Sequence, residues 1–372
     1  MPTSIHGTNG ITFNDGSTQT TRPAVGFRNR IINGDMRIDQ RNAGASVTAT
    51  GNPFTVDRWR AVISQAAKFT VQQNAGSVTC PAGFTNYLGA TSSSAYSVTS
   101  SDYFILRQVI EGFNVADLAW GTASAATVTL SFRVYSSLTG TFGGSLQNYN
   151  QDRSYPFSYS IPTANTWTTI NVTIAGDTTG TWDKNNTGGI IVDFGLGVGS
   201  TYSASAGTWA SGTYIAPTGA VSVVGTNGAT FYITGVQLEA GSTATDFERR
   251  PIGTELALCQ RYYYRQTKTS GASGVASAFA MLQLWSNSWH SLIQFPVTMR
   301  SAPSFESSAA STFFYHCGGV ANAALTSINI SGSNGDSARL EGATTYGDAN
   351  GVAGQLAMAN SSTAFLGFSA EL

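Results

Sequence analysis

Ten residues, Ala126–Tyr135 (ATVTLSFRVY), put Val128, Leu130, Phe132 and Val134 on one side of an extended chain. Thr129, Ser131 and Arg133 fall on the other. A period of two is the signature of a half-buried antiparallel strand. It does not fit a helix, whose apolar stripe recurs at three and four residues. Related signals recur at Phe69–Val71, Trp167–Ile174 (WTTINVTI), Gly189–Leu196 (GIIVDFGL) and Ala229–Leu238 (ATFYITGVQL). Gly, Asn and Asp turn residues separate them. From Phe27 to about Pro251 this pattern predicts a β-sandwich or jelly roll.

Composition sharpens the exclusion. Charged residues make up 10% of the 372-residue chain, against about 25% in an average soluble protein. Nineteen Lys and Arg nearly cancel twenty Asp and Glu, so there is no electrostatic footprint for nucleic acid. Scarce charge also argues against coiled coils, which need Glu- and Lys-rich faces. The 41% hydrophobic content is enough to build a core, which argues against disorder. Forty-one glycines suit a chain of many tight turns.

The length predicts two or three domains. Near the N-terminus, GITFNDGSTQT (Gly10–Thr20) alternates at Ile11 and Phe13 and turns at Asn14-Asp15-Gly16, which predicts a hairpin too small to be stable alone. Residues 1–26 are therefore expected to form an attachment and trimerisation segment, and residues 27–252 the jelly roll. The texture changes at Gly253. Residues 253–269 are expected to form a helical neck, with GTELALCQRYYYR as helix, Thr254 as its cap and Glu255 in the first turn. Leu256, Cys259 and Tyr263 fall on one stripe. Such a short helix needs a neighbour, either the same chain or symmetry-related copies. β signals return over residues 270–372, at Ala280–Leu284, Trp289–Phe295, Phe313–Tyr315, Ser327–Ile330 and Ala364–Phe368. They predict a second, smaller β-sandwich. Cys80, Cys259 and Cys317 fit neither a metal motif nor a disulfide framework. The opening MPTSIHGTNG has no basic and apolar leader pattern, and no run reaches the roughly 18 apolar residues of a membrane span. The expectation is a soluble product of a cytoplasm that inserts in no membrane.

Three groups of motifs carry a resemblance. One is NRIINGDM (Asn29–Met36) followed by TVDRW (Thr55–Trp59). Another is VQLEAGS (Val236–Ser242), running on to Thr245–Glu248 and Arg250-Pro251. The last is ELALCQRYY (Glu255–Tyr263) followed by FPVTMRSAP (Phe295–Pro303). Together these resemble bacteriophage tail-fibre and receptor-binding proteins, including those of cyanophages and other marine phages. The opening GITFNDGSTQTT also looks like the short fibre motif that often precedes such domains. The span between the first two groups resembles a carbohydrate-binding jelly roll, bracketed by Ile32–Met36 and Val236–Glu239. That resemblance implies a possible structural calcium at Asp35, Asp39 and Glu239. The alternative is that Asp35 caps a turn and Glu239 forms an ordinary ion pair. The fibre resemblance also implies a homotrimer with Leu256, Cys259 and Tyr263 along a central seam, and a virion neck, tail or capsid partner for residues 1–26. It implies a host-facing C-terminal tip.

Candidate recognition residues follow from where aromatics fall. Trp59 lies in an alternating strand and reads as core, with Asp57 and Arg58 as an ion pair. Trp182, Tyr202, Trp209 and Tyr214 sit among Gly, Ser, Thr and Asn. Aromatics in such loops suit either a neutral-glycan platform or packing at the sandwich ends. In the C-terminal part, Tyr315, His316, Asp336, Tyr346 and Asp348 are expected at the surface, and Trp285 and Trp289 in the core. Nucleophile-elbow, zinc-protease and phosphate-loop motifs are missing, and the carboxylates are few for glycoside hydrolysis. The expected function is a non-enzymatic virion fibre that binds host-surface glycans during adsorption. The alternatives are a head fibre, decoration or adaptor protein without a receptor role, and then a polysaccharide depolymerase.

Overall fold

The computed structural model describes residues 4–6, 10–12, 18–19, 27–267, 278–285, 288–317, 320–344, 353–358 and 364–372. Three short antiparallel strands, β1 (Ser4–His6), β2 (Gly10–Thr12) and β3 (Thr18–Gln19), come first. The expected hairpin is the β2–β3 pair, with Ile11 opposite Gln19. Its turn lies outside the described residues.

The strands β4 (Val47–Thr48), β5 (Arg60–Ile63), β6 (Phe69–Gln73), β7 (Leu88–Ser92), β8 (Tyr103–Glu111) and β9 (Val128–Ser136) follow. Next come β10 (Gly140–Asn148), β11 (Arg153–Ile161), β12 (Thr168–Ile174) and β13 (Gly188–Val198). After the short β14 (Ser203–Ala204), β15 (Ala210–Ser211) and β16 (Ala216–Pro217), β17 (Thr230–Ala240) completes the unit. Two six-stranded sheets result, in the orders β15-β11-β10-β13-β8-β5 and β12-β9-β17-β7-β6-β4. Every pairing within them is antiparallel, as a jelly-roll sandwich requires.

The alternation read from the sequence decides what fills the space between the sheets. Val128, Leu130, Phe132 and Val134 point inward and are fully buried. They meet Phe104, Leu106, Phe142, Phe157 and Phe194 from the facing sheet. Phe132 packs edge-on against Phe194 and Tyr159, at 5.0 Å in each case. Such pairs add about 0.5–1.5 kcal/mol each beyond area burial. Trp59 is core, and its Nε1 donates to the Asn33 carbonyl at 3.2 Å. Asp57 and Arg58 do not pair with each other. Gln40 donates to Asp57 from its backbone N–H (2.9 Å) and its side-chain amide (2.5 Å), while Arg58 turns to Glu371.

The helix α1 (Ile252–Gln260) is shorter than expected and has no side-chain cap; Pro251 holds the N-cap position. The tyrosine run leaves the helix and enters β18 (Tyr263–Thr267). Antiparallel pairing holds it extended, with Tyr263 opposite Ser369 and Tyr264 opposite Phe368. The trimer seam is corrected too. Cys259 is buried against Ile32, Ile38 and Tyr262, and Leu256 packs on the same cluster. Tyr263 is buried under the Arg41 guanidinium, 3.5 Å from its ring centre, and donates to Glu306 at 2.5 Å. Cys259 and Tyr263 are thus withdrawn into their own chain, and of the stripe Leu256 alone stays half-exposed.

The C-terminal strands β19 (Ala278–Trp285), β20 (Ser288–Gln294), β21 (Ser304–Ser307), β22 (Phe313–Cys317), β23 (Val320–Ser333), β24 (Ser337–Thr344), β25 (Ala353–Met358) and β26 (Phe365–Ser369) complete the chain. Here a sandwich was expected. Six strands instead close into a barrel, β19-β20-β24-β23-β22-β25, beside a three-stranded sheet, β18-β26-β21. Closure comes from β25, which pairs with both β19 and β22, and so removes the free edges a sandwich would leave. Trp289 lies in its core with Phe313, Leu340 and Leu356.

Candidate functional site

The chemistry gathers on the outer face of the β15-β11-β10-β13-β8-β5 sheet. On β8 the even residues Phe104, Leu106 and Ile110 enter the core, so Ile105, Arg107, Val109 and Glu111 face away. The register then builds one row across the sheet: Arg60 opposite Arg107, Arg107 opposite Asp193, and Asp193 opposite Ser145. Arg107 donates to both Asp193 oxygens, from Nε at 2.7 Å and Nη2 at 2.8 Å. The Gln147 amide donates to Asp193 Oδ2 at 3.0 Å and to Ser145 Oγ at 2.9 Å. Arg107, Asp193, Ser145 and Gln147 are all buried. Burial pushes the Asp193 carboxyl above its ordinary value even with Arg107 and Arg60 beside it.

Two structures border this row. At one end the segment Tyr214–Pro217 crosses the face. Pro217 lies over Gly143, and Ala216 over Gly195, where side chains larger than hydrogen would clash or crowd. The Tyr214 carbonyl accepts from Gln147 at 3.4 Å, and its N–H donates to Ser154 Oγ at 2.9 Å. At the other end the C-terminal unit docks. Glu111 accepts from Arg261 Nε (2.9 Å), Arg261 Nη2 (2.6 Å) and the Tyr262 hydroxyl (2.6 Å). Glu371 is shared by Arg41 and Arg58.

Tyr149 and Arg60 stand between these borders. Tyr149 follows β10 directly, in the turn after Asn148. Its ring lies on Gly188, where any Cβ would clash with Cδ2. One ring face is thus backed by bare backbone, and the residue is 38% exposed. Arg60 is half-buried, with its guanidinium 5.7 Å from the Phe54 ring centre. Burial, with Arg107 beside it, holds the Arg60 guanidinium below its ordinary value, while Asp193, Tyr149 and Glu371 pull the other way. Three strand spacings, about 14 Å, separate β10 from β5. The two side chains therefore bridge the row from opposite sides. Tyr149 and Arg60 reach solvent, while the Ser145, Gln147, Arg107 and Asp193 row beneath them is buried and holds the sheet that carries them. An aromatic ring and a guanidinium over such a floor suit a polar, ring-shaped ligand.

The expected loop aromatics divide between two places. Trp182 is 7% exposed and belongs to the core. It forms an edge-to-face cluster with Trp120 (4.7 Å) and Trp209 (5.4 Å), and Trp209 is half-buried against Tyr155 (5.3 Å). All three indole N–H groups donate to carbonyls of the chain itself, at Ala126, Thr179 and Ala175. Packing at the sandwich end explains Trp182 and Trp209, and no open platform forms there. Tyr202 and Tyr214 are half-buried on the outer-face side. Tyr202 meets Tyr103 edge-on at 5.3 Å.

The expected calcium ligands are not brought together. Asp35 pairs with Arg37 (2.5 Å), Asp39 accepts from the N–H groups of Asn42 and Gly44, and Glu239 accepts from Thr245 and Gln237. Among the described residues no group of three His, Cys, Asp or Glu forms a metal site. Asp336 is exposed in the Asn334–Asp336 turn and accepts from Thr298 at 2.7 Å. Tyr315 and His316 lie in β22, their side chains outside the described residues, as is the side chain of Trp285 in β19. Tyr346 and Asp348 lie outside the described residues altogether.

Sequence reasoning missed Tyr149, Arg60, Arg107, Gln147 and Asp193. A signal was present. Arg107 and Asp193 are lone charges inside the apolar runs FILRQVI and GIIVDFGL, the mark of a buried pair.

No family model matches the chain, and no curated protein matches it. Solved structures do. One is TmCBM61 in complex with β-1,4-galactotriose, at 11% identity over 58% of this chain and 100% of that one, TM-score 0.29. Another is a putative sugar binding protein from Bacteroides thetaiotaomicron, at 12% identity over 57% and 100%, TM-score 0.32. A third is the CBM22-1-CBM22-2 tandem domain from Paenibacillus barcinonensis Xyn10C, at 12% identity over 90% and 98%, TM-score 0.27.

Proposed function

We propose that this chain is a glycan-binding protein and that its ligand lies along the outer face of the jelly roll between Arg60 and Tyr149. The observation that carries the reading is the Tyr149 ring, backed by Gly188 and open at the edge of a polar row. Pyranose rings present C–H faces to such aromatics and hydroxyls to amides and guanidinium groups. The sequence motifs support placing the protein in a phage virion, as a fibre that meets host-surface glycans through several weak sites and performs no turnover. In that setting residues 1–26 hold the virion partner and bring three copies together. With Cys259 and Tyr263 buried inside the chain, other surfaces would help to join the subunits. Leu282 and Leu292, exposed on the barrel wall, would serve. Multivalency of this kind raises avidity by about 10² to 10⁴. A glycan array probed with the purified chain tests the binding. Specific signals that Tyr149→Ala removes support the reading, and a blank array against a folded protein refutes it. Immunogold labelling of particles tests the fibre placement, which absence of label from the virion would contradict.

A further inference from the structure

The charges along the row do not balance. Arg60 and Arg107 are direct register partners on adjacent strands, so two guanidinium groups share one stretch of sheet. Asp193 is the carboxylate between the sheet's charges, and both its oxygens are taken by Arg107. Glu371, the next carboxylate that acts on Arg60, is held by Arg41 and Arg58. Among the described residues, Arg60 forms no ion pair, and its buried Nε has no hydrogen-bond partner.. Arg41 approaches the same Phe54 ring at 4.7 Å, which brings further positive charge to this corner. An uncompensated guanidinium in a partly desolvated place is the usual receptor for a planar, bidentate anion.

We infer that the ligand is an acidic glycan, whose carboxylate pairs with Arg60 while an adjacent sugar ring lies on Tyr149. The inference rests on the proposed glycan site and adds the ligand's charge. A neutral sugar would leave the guanidinium as it stands. A uronate unit supplies two coplanar oxygens on the ring that stacks or on its neighbour, within the roughly 14 Å between the two strands.

The test uses the full chain with polygalacturonate and with the same polymer fully methyl-esterified, which keeps the backbone and removes the charge. Alginate and hyaluronan extend the acidic panel, and xylan and β-glucan the neutral one. Affinity electrophoresis and calorimetry read the binding. The wild type should bind an acidic member at least about tenfold more tightly than its neutral counterpart, the range of a charge-assisted hydrogen-bonded pair. Added salt should narrow the gap. Arg60→Gln should erase the preference, and Arg60→Lys should restore part of it. Tyr149→Ala should weaken both classes. Equal binding of acid and ester, or an Arg60→Gln variant that keeps the preference, overturns the inference and leaves the glycan site standing. Failure of a folded wild type to bind either panel overturns both.

Discussion

The Arg107–Asp193 pair offers a perturbation whose two arms differ sharply in predicted size. Both side chains are almost fully buried, and the carboxyl sits above its ordinary value because burial outweighs the guanidinium beside it. Burial thus costs the carboxylate more than its partner returns, and loss of one partner alone is worse. Asp193→Asn leaves the Arg107 charge buried with a neutral partner. Breaking such a pair costs about 3–5 kcal/mol. At about 2–4 °C per kcal/mol for a domain of this size, the melting temperature should fall by roughly 6–20 °C. Replacing both residues, as in Arg107→Met with Asp193→Leu, removes two desolvated charges at once. Such exchanges are neutral or stabilising by about 1–4 kcal/mol. Gln147 loses one acceptor but keeps Ser145 and Tyr214, which offsets about 1 kcal/mol of that gain. The double variant should thus melt within a few degrees of the wild type. Circular dichroism melts and urea titrations of the full chain, followed at the first transition, supply the readout. A double variant that melts as low as Asp193→Asn would show that the pair is a structural staple and refute this reasoning.

Three further expectations follow. Gly34→Ala drives a Cβ into the Val236 carbonyl and should destabilise the jelly roll by about 1–3 kcal/mol in urea unfolding, since backbone cannot move aside as a side chain does. Glu111→Gln removes the negative charge and turns one of the two oxygens that accept from Arg261 and Tyr262 into a donor; limited proteolysis should cut between the jelly roll and the barrel faster, with the core of each unit intact. Stability should peak on the acidic side of neutrality. Burial raises Asp57 to about 6 in the folded state, so its contribution falls as pH climbs from about 4 through 6. Burial opposes ionisation of Asp102 as well, but hydrogen bonds from Thr99, Ser64 and Tyr96 bring it down to about 2, so its stabilisation is lost as pH falls below about 4. Melting temperatures at pH 3, 4.5 and 7 should therefore be highest at 4.5, and a steady rise to pH 7 would contradict the assignment.

Strands were legible where one face met the core. ATVTLSFRVY became Val128–Ser136 and WTTINVTI became Thr168–Ile174, because alternation records burial directly. The barrel was not legible, since a closing β25 needs partners on both sides that no local pattern announces. The tyrosine run misled for a related reason: its helical spacing was real, but strand pairing with β26 and burial under Arg41 decided its conformation. For the site, loop aromatics pointed to Trp182 and Trp209, which fill the sandwich end. Tyr149 went unnoticed because its meaning depends on Gly188, thirty-nine residues away and adjacent only once β10 and β13 pair.

The measurement that bears most directly on the central claim compares two aromatic substitutions against glycan hits from the array. Tyr149→Ala should lower affinity about tenfold or more with an unchanged melting temperature, because an exposed ring on Gly188 is spent on ligand and not on the core. Trp209→Phe, within the indole cluster, should lower the melting temperature and leave affinity intact. The reverse outcome, affinity lost at Trp209 and kept at Tyr149, would move the site to the loop end of the sandwich and contradict the account.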